Sequence, residues 1–344
     1  MTEPDHISPR LADLGRTALP RDEVQSAFTT FDELSRDVGD TGLVARREAY
    51  ARVSSNFYDL VTDFYEYGWG EAFHFAPRFR NETHFESLRR HEHYLALMLQ
   101  LKRGERVIDV GCGVGGPMRM ISRFADVDIT ALNINLYQVK RTHVLTRAAG
   151  LQKSCRVIKA DFHHMPFPDG SIDKAYAIEA TVHSPDLVKV YSEINRVLKP
   201  GGLFATYEWC MTDRYRPENP AHRAVKDQLV IGNGVPDMGS SREVMEALKK
   251  SGFEILWHED RALTGEIPWY EPLAPQKLTF RSFRASPPGR RLTNAVLTVL
   301  ETLRFVPRGT TAVARMLHDA ATTLAESGQQ GLFTPAYLVV CRKP

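Results

Sequence analysis

The stretch Val107-Ile-Asp-Val-Gly-Cys-Gly-Val-Gly-Gly-Pro117 decides the fold. Val107, Ile108 and Val110 read as a short buried strand. The glycines at 111, 113, 115 and 116 read as a turn. Glycine lets a backbone bend sharply and lets a ligand approach it closely. Pro117 stands where the start of a helix tolerates proline, and Met118 opens an amphipathic run. Strand, tight turn and helix in this order form the nucleotide-binding unit of an open α/β sheet. A glycine-rich turn alone is weak evidence for any one ligand. Asp109 narrows the choice. A carboxylate beside the turn repels a diphosphate and attracts an ammonium group.

The pattern extends downstream. Strand patterns at 106–110, 128–132, 155–159, 172–179 and 203–209 alternate with helical patterns near 118–124, 136–149, 186–198 and 221–231. Such alternation predicts an α/β protein with a mainly parallel, Rossmann-like sheet and right-handed crossovers. A helix at 241–251 and strands at Phe253–Trp257 and Tyr337–Cys341 complete it. The roughly eighty residues between those last strands are too many for a bare connection. They carry helical patterns over Leu292–Phe305 and Thr311–Leu324, so we expect a C-terminal cap inserted over the ligand end of the sheet. Upstream, helices are predicted over Arg46–Val61 and Phe85–Leu101, with an aromatic knot between them. The expected division is a loose tail over 1–45 with one short helix near Asp22–Leu34, and a helical and aromatic segment over 46–104. A nucleotide-binding core over 105–260, a cap over 261–335 and a final core strand over 336–344 follow.

Composition removes several classes of function. The 344 residues hold 44 Lys and Arg against 42 Asp and Glu, a net charge of +2. That balance offers no concentrated basic face for nucleic acid. Cys112, Cys155, Cys210 and Cys341 form no close pair and no metal spacing, which points to a reducing compartment. His91 and His93, two apart on a helix, face different sides, and no metal site is expected. The polar, proline-broken start is no signal peptide. No apolar run reaches the roughly 18–20 residues of a membrane span. A cytoplasmic protein is expected, with peripheral membrane contact left open. A homo-oligomer is neither required nor excluded.

Ligands of open α/β sheets sit beyond the carboxyl ends of the strands. Asp109, Gly111 and Gly113 follow the first strand, Asn133 and Gln138 the second, and Asp161 and Phe162 the third. Asp109 suits the ammonium of an amino-acid moiety. Asn133 and Gln138 suit a ribose diol, unless they cap the following helix. Asp161 and Phe162 suit an adenine amino group and ring. The ligand inferred is S-adenosyl-L-methionine. Glu179 ends the fourth strand beside the expected site of transfer; a structural ion pair is the competing role.

On the acceptor side, Phe64-Tyr-Glu-Tyr-Gly-Trp-Gly70 and Phe73-His-Phe75 concentrate aromatic residues. Aromatic faces attract cations, so Tyr65, Tyr67, Trp69, Phe73 and Phe75 suit a reaction that passes through a carbocation, although a plain aromatic core explains them too. Tyr207-Glu-Trp209 repeats the theme at the end of the fifth strand, and Trp269 adds aromatic surface in the cap.

These segments together resemble the sterol 24-C-methyltransferases. The resemblance rests on Tyr65-Glu-Tyr-Gly-Trp-Gly70, Arg90-His-Glu-His-Tyr-Leu-Ala96, Asp109-Val-Gly-Cys-Gly-Val-Gly-Gly-Pro-Met118, Ala177-Ile-Glu-Ala-Thr181 and Tyr207-Glu-Trp-Cys-Met-Thr-Asp213. Ile267-Pro-Trp-Tyr270 and Phe333-Thr-Pro-Ala-Tyr337 extend it into the cap. One departure is Gln228-Leu-Val-Ile231, where the family usually carries two acids. The resemblance implies a class I methyltransferase sheet and transfer of a methyl group to an isoprenoid double bond, typically carbon 24 of a sterol. It also implies donor contacts from Asp109, Gly111, Gly113, Asn133, Asp161 and Phe162.

An alkene needs no base to start, but the cation must lose a proton. Glu66, Glu179, Glu208 and His91 are the candidate bases, with Glu179 favoured by its strand-end position. Two alternatives stay open. One is a non-sterol terpenoid acceptor, which as a diphosphate would need cations such as Arg281, Arg284, Arg290 and Arg291. The other is a lipid-binding protein without turnover.

Overall fold

The computed structural model describes residues 18–36, 43–44, 47–274 and 286–344. Its centre is a seven-stranded sheet in the order β3-β2-β1-β4-β5-β7-β6. The strands are β1 (Arg106–Val110), β2 (Asp128–Asn133), β3 (Cys155–Lys159), β4 (Ile172–Ile178), β5 (Leu198–Met211), β6 (Glu254–Asp260) and β7 (Phe333–Arg342). The first five run parallel, and β7 inserts antiparallel between β5 and β6. β7 begins at Phe333, so the chain returns to the sheet earlier than the expected boundary at 336.

Helices α1 (Val24–Arg36), α2 (Tyr50–Trp69) and α3 (His84–Met98) precede the sheet. Helices α4 (Gly116–Ala125), α5 (Leu136–Ala148), α6 (Leu187–Val197), α7 (Pro220–Gly232) and α8 (Ser241–Lys250) alternate with its strands. The cap contributes α9 (Pro287–Thr302) and α10 (Thr310–Gln330). Ile108, Val110, Ala175, Phe204 and Val339 lie under one face of the sheet with α6 and α8. Val107, Ile129, Tyr176 and Leu338 lie under the other with α3 and α4.

Two expectations change. The tail contains the expected helix, but α1 is docked. Val24 and Phe31 are buried against Val53, Phe57 and Leu60 of α2 and Val313 of α10. The first predicted helix also runs past its expected end at Val61 into the aromatic knot. Residues 64–69 form the last turns of α2, because Phe57, Leu60, Val61 and Phe64 keep an apolar stripe at three- and four-residue spacing. Gly70 ends the helix at φ 93. The polar residue that breaks the stripe, Glu66, is buried in a two-bond ion pair with Arg141 of α5, at 2.9 and 2.7 Å.

After α2 the chain crosses the glycine turn as a strap, Glu71–Phe75. The crossing is tight. A Cβ built on Gly116 would lie 2.2 Å from the Glu71 carbonyl oxygen. Arg119, inside α4, donates to Glu71 at 2.6 Å. Gly116→Ala is therefore expected to push the strap off the turn at a cost of about 1–3 kcal/mol, measured by denaturant unfolding, and to weaken donor binding with it.

Candidate active site

Asp109, next to last in β1, is almost fully buried, and its Oδ2 accepts from the Tyr176 hydroxyl at 2.9 Å. Burial pushes its carboxyl up to about 7. Gly111 follows at φ 88, with no room for a side chain: a Cβ there would lie 2.5 Å from that of Ala180. Asn133 donates to the Gly113 carbonyl at 2.9 Å and to Gln138 Oε1 at 2.8 Å, so both amides brace the turn. Asp161 accepts from the Tyr50 hydroxyl and from the His163 backbone N–H. Burial works against its charge, but the hydrogen bonds from His163 and Tyr50 outweigh that and hold its carboxyl well below the usual range.

These residues and Phe162 line one cleft. Glu71, Asp109, Asp161 and Glu179 give it four carboxylates, and no lysine or arginine lines it. A cleft so charged rejects a diphosphate and favours a cation. With a turn that only backbone fills, it fits the ammonium and sulfonium of S-adenosyl-L-methionine.

A second cavity, about 1070 Å³, lies on the other side of the strap. Tyr65, Tyr67, Trp69, Phe73, Phe75 and Trp209 line it together with apolar residues of α9 and α10. Tyr65 meets Phe73 edge-on at 5.4 Å, and Trp69 meets Phe75 at 5.3 Å. The two cavities share Tyr58, Phe73, His74, Glu179 and His183, which form a throat between them.

Glu179 holds the centre of the throat. It lies just past β4 in the left-handed region, at φ 54, a strained position for a side-chain-bearing residue. Its Oε1 accepts from the Phe75 N–H at 2.8 Å and its Oε2 from Trp209 Nε1–H at 2.7 Å. Burial still raises its carboxyl to about 8. Both nitrogens of His74 face acceptors, Glu92 Oε1 at 3.0 Å and the Phe75 carbonyl at 2.9 Å. Burial opposes its charge, but the bond to Glu92 prevails and its pKa is raised.

Several candidates lie elsewhere. Glu66 is spent on Arg141 and lines neither cavity. Glu208 is fully buried behind the throat, accepting from Thr181, Thr206 and Tyr191. His91 is buried flat against Tyr207, with ring centroids 3.7 Å apart, and burial drives its pKa well below the ordinary value. Tyr207 is not on the cavity wall; its hydroxyl donates to the His91 carbonyl at 3.1 Å. Trp269 backs the wall, edge-on to Phe75 at 4.9 Å. Arg281 and Arg284 lie outside the described residues. Tyr50, Tyr58, His74, His163 and His183 were not singled out in the sequence. Only His183, four residues after a strand-end acid, carries a local signal there.

The methyltransferase-domain profile matches residues 108–206, and the sterol methyltransferase C-terminal profile matches residues 280–344. Cycloartenol-C-24-methyltransferase 1 of Oryza sativa subsp. japonica is 46% identical over 326 residues, 95% of this chain and 94% of the relative. The chain belongs to the sterol 24-C-methyltransferase family. Sterol 24-C-methyltransferase ERG6 of Saccharomyces cerevisiae is 45% identical over 307 residues, 87% of this chain and 80% of the relative. The fold, though not the sequence, also matches geranyl diphosphate C-methyltransferase of Streptomyces coelicolor A3(2). The TM-score is 0.63 at 16% identity, covering 86% of this chain and 98% of that one. This sterol methyltransferase is thus an S-adenosyl-L-methionine-dependent enzyme on a class I sheet.

Asp109→Asn is expected to weaken donor binding by about 2–5 kcal/mol in calorimetry, with the fold retained. An ionised carboxylate attracts an ammonium group where a neutral acid does not, so wild-type donor affinity is expected to fall as pH drops through about 7. The variant is expected to lose that dependence.

Proposed function

We propose that this enzyme methylates the side-chain double bond of a sterol at carbon 24. The supporting observation is the throat: an apolar, ring-lined chamber opens onto a cleft charged for a sulfonium. The chamber also argues against a diphosphate acceptor. Arg290, on its wall, already donates to the carbonyls of His318 and Leu273 and to Thr322. Arg78 is paired with Glu271 at 3.1 Å. Arg291 is not on the wall.

In this reading Asp109 holds the donor's ammonium, Asn133 and Gln138 face its ribose, and Asp161 and Phe162 face its adenine. The donor supplies an electrophilic methyl group on sulfur. The chain's own residues do the rest. Phe73 and Tyr65 place ring faces beside the throat, and Tyr67, Trp69, Phe75 and Trp209 extend the wall. Each face stabilises a nearby cation by roughly 0.5–2 kcal/mol when dry. Glu179 opposes that charge from a fixed position. Its two N–H donors prevent reorganisation as the charge develops.

A peripheral membrane contact is part of the proposal. Among the described residues no helix is long and apolar enough to cross a membrane. Yet Leu292, Val296 and Val299 of α9, then Leu303 and Phe305, are exposed at helical spacing. Leu292 and Val296 also line the chamber. The one acid of α9, Glu301, is turned inward to the N–H groups of Gly309 and Thr311, while Arg291, Arg304 and Arg308 are exposed. That stripe suits an anionic bilayer, with the chamber directly behind it.

Incubation with labelled donor and a sterol panel, followed by mass spectrometry, tests the acceptor. Label in a side-chain-methylated sterol is expected, and label only in non-sterol products would overturn the reading. Glu179→Gln is expected to lower kcat by about 10²-fold or more, with donor affinity in calorimetry weakened less than by Asp109→Asn. A Val299→Asp, Leu303→Asp pair is expected to lose co-sedimentation with phosphatidylserine-containing vesicles while keeping turnover of detergent-dispersed sterol.

A further inference from the structure

The throat contains a hydrogen-bonded pair, Tyr58 and His183. Tyr58 projects from α2, and His183 from the short 3-10 turn Thr181–His183 after β4. The Tyr58 hydroxyl lies 2.8 Å from His183 Nε2. On the ring's other side Ser54 Oγ lies 3.5 Å from Nδ1. The relay uses the tautomer with the hydrogen on Nδ1, where it can be donated to the Ser54 hydroxyl. Nε2 is then the acceptor, and the Tyr58 hydroxyl donates to it. Burial drives His183 down to about 4, so the ring rests neutral. The oxygen of Tyr58 keeps its lone pairs for the throat.

The other members of the throat are less suited to take a proton. Phe73 has no basic atom. His74 presents two acceptors with N–H groups. Glu179 is a competent base by charge, but protonation would remove the one carboxylate facing the cation and leave the Phe75 and Trp209 N–H groups against a neutral acid. A carbocation is acidic enough to protonate a neutral phenol.

We propose that Tyr58 accepts the proton lost by the methylated cation and passes its own proton to His183. The assignment rests on the sterol-methylation reading above. A C–H bond next to the cationic carbon breaks, and its electron pair becomes the new double bond. That proton joins Tyr58 Oη as the original hydroxyl proton moves to His183 Nε2. Tyrosine is left neutral and histidine as imidazolium, which returns its proton to solvent before the next turnover. Tyr58 is the catalytic member, and His183 positions and drains it. Glu179 is held ionised while a cation faces it.

Wild-type turnover of a sterol, measured first, tests the acceptor reading separately. Tyr58→Phe keeps the ring and removes the oxygen. His183→Gln keeps an acceptor for the hydroxyl but cannot store a proton. Each is expected to lower kcat about 10²-fold with donor Kd within about twofold by calorimetry, which also certifies the fold. The double variant is expected to be no slower than the slower single one. The products are expected to spread into isomeric alkenes or a water-quenched alcohol. Wild-type kcat with one alkene product in Tyr58→Phe would overturn the relay. So would a raised acceptor KM at unchanged kcat, the signature of packing alone.

Discussion

The contact between the strap at Glu71–Phe75 and the glycine turn governs the site. Glu71 is held from below by Arg119, and its carbonyl rests where only a glycine leaves space, at Gly116. This brings an N-terminal segment over the ligand end of a sheet that begins at Arg106. Two cavities of opposite chemistry therefore share one wall. A charged cleft and an apolar chamber meet only because backbone from 71–75 runs between them, with Phe75 N–H tied to Glu179.

Electrostatics follows from that geometry. Asp109 and Glu179 are both buried deeply enough that their ionisation is unfavourable without a positive partner. Four carboxylates in a cleft without lysine or arginine make a site that a cation completes. The rings of Tyr65 and Phe73 carry the same preference across the throat without adding charge. The cap closes the chamber with α9 and α10, and α9 separates it from the surface with few groups that would resist lipid.

Much of the fold was legible. The alternation of strand and helix patterns after Arg106 gave the parallel strands within a residue or two, except that β5 extends from Leu198 to Met211. The first helical pattern was placed only as far as Val61, yet α2 runs on to Trp69. The helix survives because Glu66 has Arg141 waiting on α5. That Asp109, Asn133, Asp161 and Phe162 line one cleft was legible, because strand ends in an open α/β sheet share one edge. The roles of Glu66, Glu208, His91 and Tyr207 were not. Each sits in a motif rich in acids and rings, and each is turned to a partner from another element.

The sequence by itself determined the sheet, the turn and the preference for a cationic ligand. Those depend on local periodicity, on glycine's freedom and on one carboxylate next to the turn. Tertiary structure alone decided which acid faces the throat, and it brought Tyr58 to His183 across 125 positions of chain. Periodicity says which side of its own helix or strand a residue occupies. It does not say what packs across from that side, and burial, pKa and proton transfer are set there.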